Sequence, residues 1–393
     1  NNSMKRYKLL YLVAGVASVL MTGCNDMENT PSNKFTDNSF WNSTEKAQYV
    51  VNMAYSQMYN AGRMWQDESL SDNVFDGRNV TDPRAIRKGM GTPSLELFKN
   101  EWKDLYGGIK TCPVFREKVD LVPGMNVAVK ARMIAEIRFI RAFIYFRLTN
   151  LYGDVPFFDK DITIDESNSI ARTPRATIIS FIHQELEDIA NALPTRDQLQ
   201  DAEQGKITKG AVSALQARVY LMDSDWDNVI KYCDNLIKKQ NEYGTYSLLP
   251  TYRSVFEETN EYNQEIILDR AYVPFLLTWG EMSDMAPLSV GARLCNRAPQ
   301  QSLVDSYLMV DGKAFNENSP LYNPSTPYAN RDLRLTATVV YDGYDWSKNV
   351  SDGSTGTIIQ INPQSNTVDK YEAGSNKTDI TPANTIAHKQ KVI

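Results

Sequence analysis

The chain has 393 residues, 42% hydrophobic and 23% charged, with a formal net charge of −6. That length suffices for one large or two medium domains with a sizeable core, and the composition is ordinary for a globular protein. The acidic balance argues against non-specific nucleic-acid binding, which needs clustered Lys and Arg facing phosphates, so no nucleic-acid partner is expected.

Lys5, Arg6 and Lys8 form a positive N-terminal patch, and Leu9 to Met21 is one run of apolar or small residues. The run is too short for a membrane span, which needs about 20 apolar residues to cross a ~30 Å hydrocarbon core. Thr22-Gly23-Cys24 follows and resembles a bacterial lipobox, in which the thiol is diacylated and the peptide is cut before it. Acyl chains contribute ~0.8 kcal/mol per buried CH₂, so two of them anchor a protein without a spanning helix. The expected layout is a signal peptide over 1–23, a lipidated tether over 24–39 and a single folded region over 40–393. Asn1-Asn2-Ser3 precede a candidate initiator, Met4, and the chain stops at Lys391-Val392-Ile393 without a closing element, so both ends are expected to be incomplete.

Asn42-Ser43-Thr44-Glu45 looks like a helix start, with Ala47, Val50, Val51, Ala54 and Met58 following at helical spacing. A loop rich in Gly, Asp and Asn is expected from Gly62 to Pro93, and a helix from Leu95 to Val119. The strongest periodic element covers 129–152. Met133, Ile137, Ile140, Ile144 and Leu148 form one row, and Phe139, Phe143 and Phe146 make other faces apolar, as in a helix buried between neighbours. It ends at Gly153, with Pro156 forbidding continuation. Thr173-Pro174 opens a helix running to Leu193-Pro194. Helices over Thr208–Met222 and Trp226–Gln240 follow, and their short link, Asp223-Ser224-Asp225, forces them antiparallel. Such pairs resemble tetratricopeptide units, which stack into a solenoid. The fold class is therefore mainly α, a tetratricopeptide-like repeat scaffold over 40–245. Beyond Tyr246 the texture becomes loop-rich, with strands expected at Glu265–Leu268 and Leu335–Tyr341.

Several segments are similar to one family. Glu136-Ile137-Arg138-Phe139-Ile140-Arg141-Ala142, Tyr145-Phe146-Arg147-Leu148 and Leu151-Tyr152-Gly153-Asp154-Val155-Pro156 look like the signature helix and turn of SusD/RagB proteins. Phe40-Trp41-Asn42-Ser43-Thr44-Glu45, Trp102 to Ile109, Lys209 to Leu221, Pro299 to Tyr307, Asp311-Gly312-Lys313 and Tyr328 to Leu335 agree in the same order. The resemblance implies a non-enzymatic outer-membrane lipoprotein. It would bind an oligosaccharide at the cell surface and act as a lid on a SusC-like TonB-dependent transporter. It also implies that 40–393 is one SusD-like domain. The family usually continues well beyond this point with a further helix rich in Arg, Tyr, Ala and Glu, so the C-terminal part, including the fourth helical pair, is expected to be missing.

The chemistry in the chain fits binding better than catalysis. Two histidines occur, His183 and His388, and His183 is expected to be an exposed structural residue. No His-Glu-x-x-His, P-loop, Cys-x-x-Cys or dinucleotide glycine motif is present, so no cofactor or metal is expected. Cys112, Cys233 and Cys295 are a sparse set, expected to be buried thiols. Asp67, Glu68, Asp72 and Asp76 cluster in the 62–93 loop and are expected to be solvated; a Ca²⁺ site or the acid pair of a glycosidase are the other readings. Sugars present C–H faces that stack on Trp or Tyr, and hydroxyls that pair with amides, carboxylates and guanidinium groups. Trp65, Asn73 and Arg78 in the first loop are candidate ligand contacts. So are Tyr272, Trp279 and Arg293, and also Tyr344 and Trp346. Trp41, Trp102 and Trp226 are assigned to the core. The alternative to free glycan is a peptide or glycoprotein ligand on the same scaffold, and an exported all-α glycosidase is the third reading.

Overall fold

The computed structural model describes residues 40–76, 81–273, 275–280, 285–292, 297–349, 356–361, 364 and 366–369. The signal segment, Cys24 and the tether lie outside the described residues, as do Arg78, Arg293 and Cys295. The described part is mainly helical. Its helices up to residue 238 include α1 (Thr44–Met58), α2 (Ala61–Leu70), the short α3 (Thr81–Arg87), α4 (Glu96–Lys118), α5 (Val127–Tyr152), the short α6 (Ile164–Ser169), α7 (Arg175–Ile189), α8 (Lys209–Met222) and α9 (Trp226–Lys238). Two small antiparallel ladders accompany them. β1 (Val74–Asp76) pairs with β4 (Arg297–Pro299), and β2 (Val155–Pro156) with β3 (Arg172–Thr173).

α5 is the hub. It packs on α1, α4, α7 and α8, and Ile137, Phe139, Ile140, Ile144, Tyr145 and Leu148 are all buried along it. Each such side chain contributes about 1.5–3 kcal/mol when fully buried. Asn126 starts the helix by accepting from the Ala128 and Val129 amides at 2.9 and 3.2 Å. Gly153 ends it at φ +70°, a conformation costly for any residue with a Cβ. The Tyr145 hydroxyl then holds the following turn, donating to the Phe158 carbonyl and accepting from its amide.

The hub also carries buried charge. Arg141 is 1% exposed and ion-pairs with Glu185 of α7. Arg138 reaches the same carboxylate at 2.6 Å and Asp188 at 2.9 Å. Burial alone would raise the Glu185 carboxyl, but the two guanidinium groups outweigh it and hold the group below its ordinary value. A desolvated guanidinium left without its partner is strongly unfavourable, so this network fixes how α7 docks on α5.

The structure corrects several expectations. The segment expected as a loop from Gly62 to Pro93 contains α2, β1 and α3. Asn60 caps α2 by accepting from the Arg63 amide at 2.9 Å, and Ala61, Met64, Trp65 and Ser69 form its buried stripe, which intervening Gln66, Asp67 and Glu68 conceal in the sequence. Of the strand expected over Leu335–Tyr341, the first four residues belong instead to a short helix, Leu333–Thr338, started by Asp332, whose side chain accepts from the Arg334 amide. Glu265–Leu268 forms turns and no ladder among the described residues. Of the Trp residues assigned to the core, Trp41 is buried and Trp102 is half-buried against Tyr106 and Tyr152, but Trp226 is 59% exposed. α9 turns Tyr232 and Asn235 inward, where Ser213 of α8 donates to the Tyr232 carbonyl and accepts from Asn235. Its apolar Trp226, Ile230 and Ile237 point outward. Cys112 is buried, and burial pushes its thiol up to about 12, but Cys233 is only half-buried. His183 is half-buried too, stacked on Tyr220 at 3.8 Å with Nδ1 against Gln216.

A carboxyl held below its unfolded pKa contributes stability above that pKa and loses it as pH falls through the folded value. Glu185→Gln is therefore expected to lose about 3 kcal/mol of unfolding free energy at pH 7. Urea unfolding of both proteins across pH 7 to 3 checks this: the gap should narrow below about pH 4, as the wild-type carboxyl takes up its proton.

Candidate functional site

Two of the three aromatic groups proposed from sequence converge. Trp65 of α2 lies in a cluster with Met64, Val74 and Met285, and Trp279 and Tyr59 pack against it. Tyr272 meets Trp279 edge to face, with centroids 5.2 Å apart and planes at 84°. The Tyr272 hydroxyl accepts from the Ala61 amide at 2.8 Å, at the N-terminus of α2 where backbone donors lack helical partners. A segment 211 residues downstream thus completes the cap of the helix that carries Trp65. Trp279 and Tyr272 are half-buried and keep part of their rings in solvent.

Trp65 itself is 0% exposed, so it supports the junction from beneath and offers no stacking face. Asn73 is half-buried in the turn after α2; its amide side chain donates to Glu68 at 3.4 Å, and its carbonyl accepts from the Gln300 amide at 2.7 Å. It shapes the β1–β4 ladder. Tyr344 and Trp346 belong to a separate buried cluster with Val340, Ile359 and Ile361, so these two corrections share one cause: their loop folds its rings inward.

Beside the junction lies a cleft of about 330 Å³. Tyr55 of α1, Tyr59 just beyond its end, Gln204 and Lys206 of the loop before α8, and Arg270 and Leu277 contribute to its walls. Arg270 terminates α1: its Nη1 donates to the carbonyls of Tyr59 at 2.8 Å and Ser56 at 3.1 Å, and its guanidinium lies 5.9 Å from the Tyr272 ring centre. Cations are favoured at such a helix end, where carbonyls are unpaired. Burial raises the Tyr55 hydroxyl well above its ordinary value, and its oxygen accepts from the Ile207 amide at 2.8 Å. Sequence reasoning missed Arg270, Tyr55 and Tyr59. The only local signal was Asp269-Arg270 after an apolar run, while Tyr55 sits in a helix and Tyr59 just past its end, and both read as packing.

On the other flank, Arg147 of α5 makes a fork to Asp67 at 2.8 and 2.9 Å and also ion-pairs with Glu101 of α4. Tyr59 donates to Asp67 at 2.7 Å, and Arg63 meets Glu101 at 2.9 Å. Burial first, then Asp67, raises the Tyr59 hydroxyl. Asp67 and Glu101 are thus engaged by guanidinium groups and work as structural anchors for α2. Among the described residues, no cluster of three or more His, Cys, Asp or Glu could hold a metal ion, and no helix is long and apolar enough to cross a membrane.

Comparisons with known proteins bear on this geometry. A family model described as "Starch-binding associating with outer membrane" matches residues 8–221, and a "SusD family" model matches 283–389. SusD-like protein P25 of Formosa agariphila is 26% identical over 258 residues, covering 61% of this chain and 47% of that protein. A SusD-like protein of Bacteroides ovatus is 23% identical over 304 residues, covering 70% and 52%. The chain spans about half the length of these curated relatives. Among solved structures, a SusD-like carbohydrate binding protein from Bacteroides fragilis superposes with a TM-score of 0.78 at 26% identity, covering 89% of this chain and 68% of its own. Surface glycan-binding protein A from Bacteroides thetaiotaomicron, solved with laminarihexaose, shares the fold with a TM-score of 0.56 at 18% identity, covering 88% and 70%.

Tyr272→Phe removes the acceptor for the Ala61 amide and is expected to cost about 1 kcal/mol. Hydrogen exchange checks it, with faster exchange confined to the first turn of α2. From the first-family match over more than half its length, the colinear motifs and the shared helical scaffold, the chain belongs to the SusD family.

Proposed function

We propose that this protein is a surface glycan-binding lipoprotein that captures oligosaccharides and hands them to a SusC-like TonB-dependent outer-membrane transporter. The observation that carries the reading is the junction of Tyr272 and Trp279 beside the cleft. Two half-buried aromatic rings in edge-to-face contact stand on the segment whose Asp269, Arg270, Ala271 and Leu277 line a concavity that offers amide, ammonium, carboxylate and guanidinium groups. That combination suits a sugar, whose C–H faces pack on rings while its hydroxyls need planar polar partners. The names of the relatives point the same way, since they include carbohydrate-binding, starch-binding and laminarin-binding proteins. Capture of this kind needs no bond chemistry, and Asp67 and Glu101 are already committed to arginines.

Arg78 and Arg293 remain in the proposed ligand set on the strength of sequence alone. Lipidation at Cys24 would hold the domain at the outer surface, and the stretch from Asn25 to Ser39 would tether it.

Two experiments test the reading. In isothermal titration with laminarihexaose and with gluco-, xylo- and manno-hexasaccharides, at least one glycan is expected to bind, and Trp279→Ala is expected to weaken it about tenfold, the loss of one aromatic contact of ~1.4 kcal/mol. Failure of every glycan, with peptides bound instead, would replace the sugar by a peptide ligand. Separately, Cys24→Ala is expected to move the protein from the membrane fraction to the soluble fraction while leaving glycan affinity intact; persistent membrane association would remove the anchor.

A further inference from the structure

Two cations line the cleft, Lys206 and Arg270, and neither has a carboxylate within ion-pair distance among the described residues. The loop before α8 turns at Gly205, with φ +82°, and its backbone is tied on both sides of the Lys206 side chain. The Lys206 amide donates to the Glu203 carbonyl at 3.1 Å, and the Ile207 amide donates to Tyr55 at 2.8 Å. Lys206 is thus half-buried on a fixed backbone, with its ammonium unpaired. Arg270 engages only neutral partners. Its Nη1 donates to the carbonyls of Tyr59 and Ser56, and its Nε is buried without a hydrogen-bond partner. The partial negative charge of a helix end offsets only part of a full guanidinium charge.

The nearby carboxylates are committed elsewhere. Glu136 of α5 and Glu203 both pair with Arg132, at 3.1 and 2.7 Å. Burial is the largest influence on Glu136 and raises its carboxyl, although Lys206 and Arg132 act against it, which makes Glu136 a poor counterion for Lys206. Asp269 does line the cleft, with its Oδ1 turned toward Gly205, 3.6 Å from where a Cβ would stand. The lining therefore holds two cations against one carboxylate, in a chain whose net charge is −6. A local reversal of the overall charge, set in a concave site with low-dielectric walls, concentrates anions there.

We propose that the cleft selects an acidic oligosaccharide, whose carboxylate or sulfate groups pair with Lys206 and Arg270. The inference rests on the glycan reading above and adds the substrate class to it. A neutral sugar needs only hydroxyl partners, and Asn52, Gln204 and the tyrosines of the lining already supply those. Two cations without counterions add nothing for such a ligand, whereas an anion gains charge-assisted hydrogen bonds that are roughly twice as strong as neutral ones. Generic attraction does not account for this preference, because the chain as a whole repels anions.

The experiment titrates the full chain, Lys206→Gln, Lys206→Arg and Arg270→Met. The probes are galacturonate, mannuronate and guluronate hexasaccharides with their methyl esters, a sulfated galactan hexasaccharide with its desulfated form, the neutral hexasaccharides, and hexaglutamate. At least one acidic glycan is expected to bind about tenfold more tightly than its uncharged counterpart, and the ratio is expected to shrink as salt is raised. Lys206→Gln is expected to abolish most of that ratio at an unchanged thermal midpoint, since it breaks no ion pair, and Lys206→Arg to retain it. Arg270→Met also frees the α1 carbonyls, so only its ratio of acidic to uncharged affinity is read, and that ratio is expected to fall. Uncharged glycans binding as tightly as every acidic one, or an unchanged ratio in Lys206→Gln, would overturn the proposal and leave the glycan reading standing. Tighter binding of hexaglutamate than of every acidic glycan would assign the cations to an acidic peptide and overturn it too. Failure of all the glycans, acidic and neutral alike, would instead sink the function on which the proposal rests.

Discussion

The desolvated guanidinium groups of α5 are the constraint on which the rest of the structure depends. Arg141 sits in the hydrophobic hub beside Ile140 and Ile144, where an unpaired charge is untenable. Its partner, Glu185, has to come from α7, and Arg138 shares that carboxylate. Two turns further on, Arg147 does the same on another face, gathering Asp67 from α2 and Glu101 from α4. Hydrophobic packing would let neighbouring helices slide by a ridge. Charge pairing at buried positions selects one register, because a fork of two hydrogen bonds tolerates little displacement. The arginines of the signature helix are thus structural, although a charged residue in a family motif invites a functional reading.

The candidate site inherits its geometry from helix ends. Arg270 closes the C-terminus of α1 and Tyr272 completes the N-terminus of α2, so one short segment satisfies backbone groups that neither helix satisfies alone. With its beginning fixed at two points, the segment lines the cleft with Asp269, Arg270, Ala271 and Leu277 and sets Tyr272 against Trp279. Trp65, buried below, contributes bulk: removing it would undermine the rings that face solvent. The geometry of the candidate site and the folding of the helices are coupled here through helix termini, a common reason for irregular segments to be well placed on helical scaffolds.

The helical elements were legible because their signals are local. Ser43, Asn126 and Thr208 mark the starts of α1, α5 and α8, and each accepts backbone hydrogen bonds as a cap should. The apolar rows of α1 and α5 repeat at helical spacing and are buried as that spacing implies. α2 was hidden by its brevity and by the polar residues interrupting its stripe. In Leu335–Tyr341 the β-branched Thr336, Thr338, Val339 and Val340 mimicked a strand, and the local Asp332 cap prevailed over the first part of it as the helix Leu333–Thr338. Of the ligand candidates, the pairing of Trp65 with Trp279 in one cluster was invisible, since nothing in either segment refers to the other.

The sequence by itself determined where most long helices begin and end, which residues of α5 are apolar on every side, and the family to which the motifs belong. Periodicity and capping act within a few residues and need no distant partner. Only the tertiary structure decided which faces of those helices meet. It turned Tyr232 and Asn235 of α9 inward and left Trp226 outside, folded Tyr344 and Trp346 into a core of their own, and brought Tyr272 to the amide of Ala61. These outcomes depend on contacts between residues far apart in the chain, and burial of a ring is a property of its neighbours, which no single stretch of sequence contains.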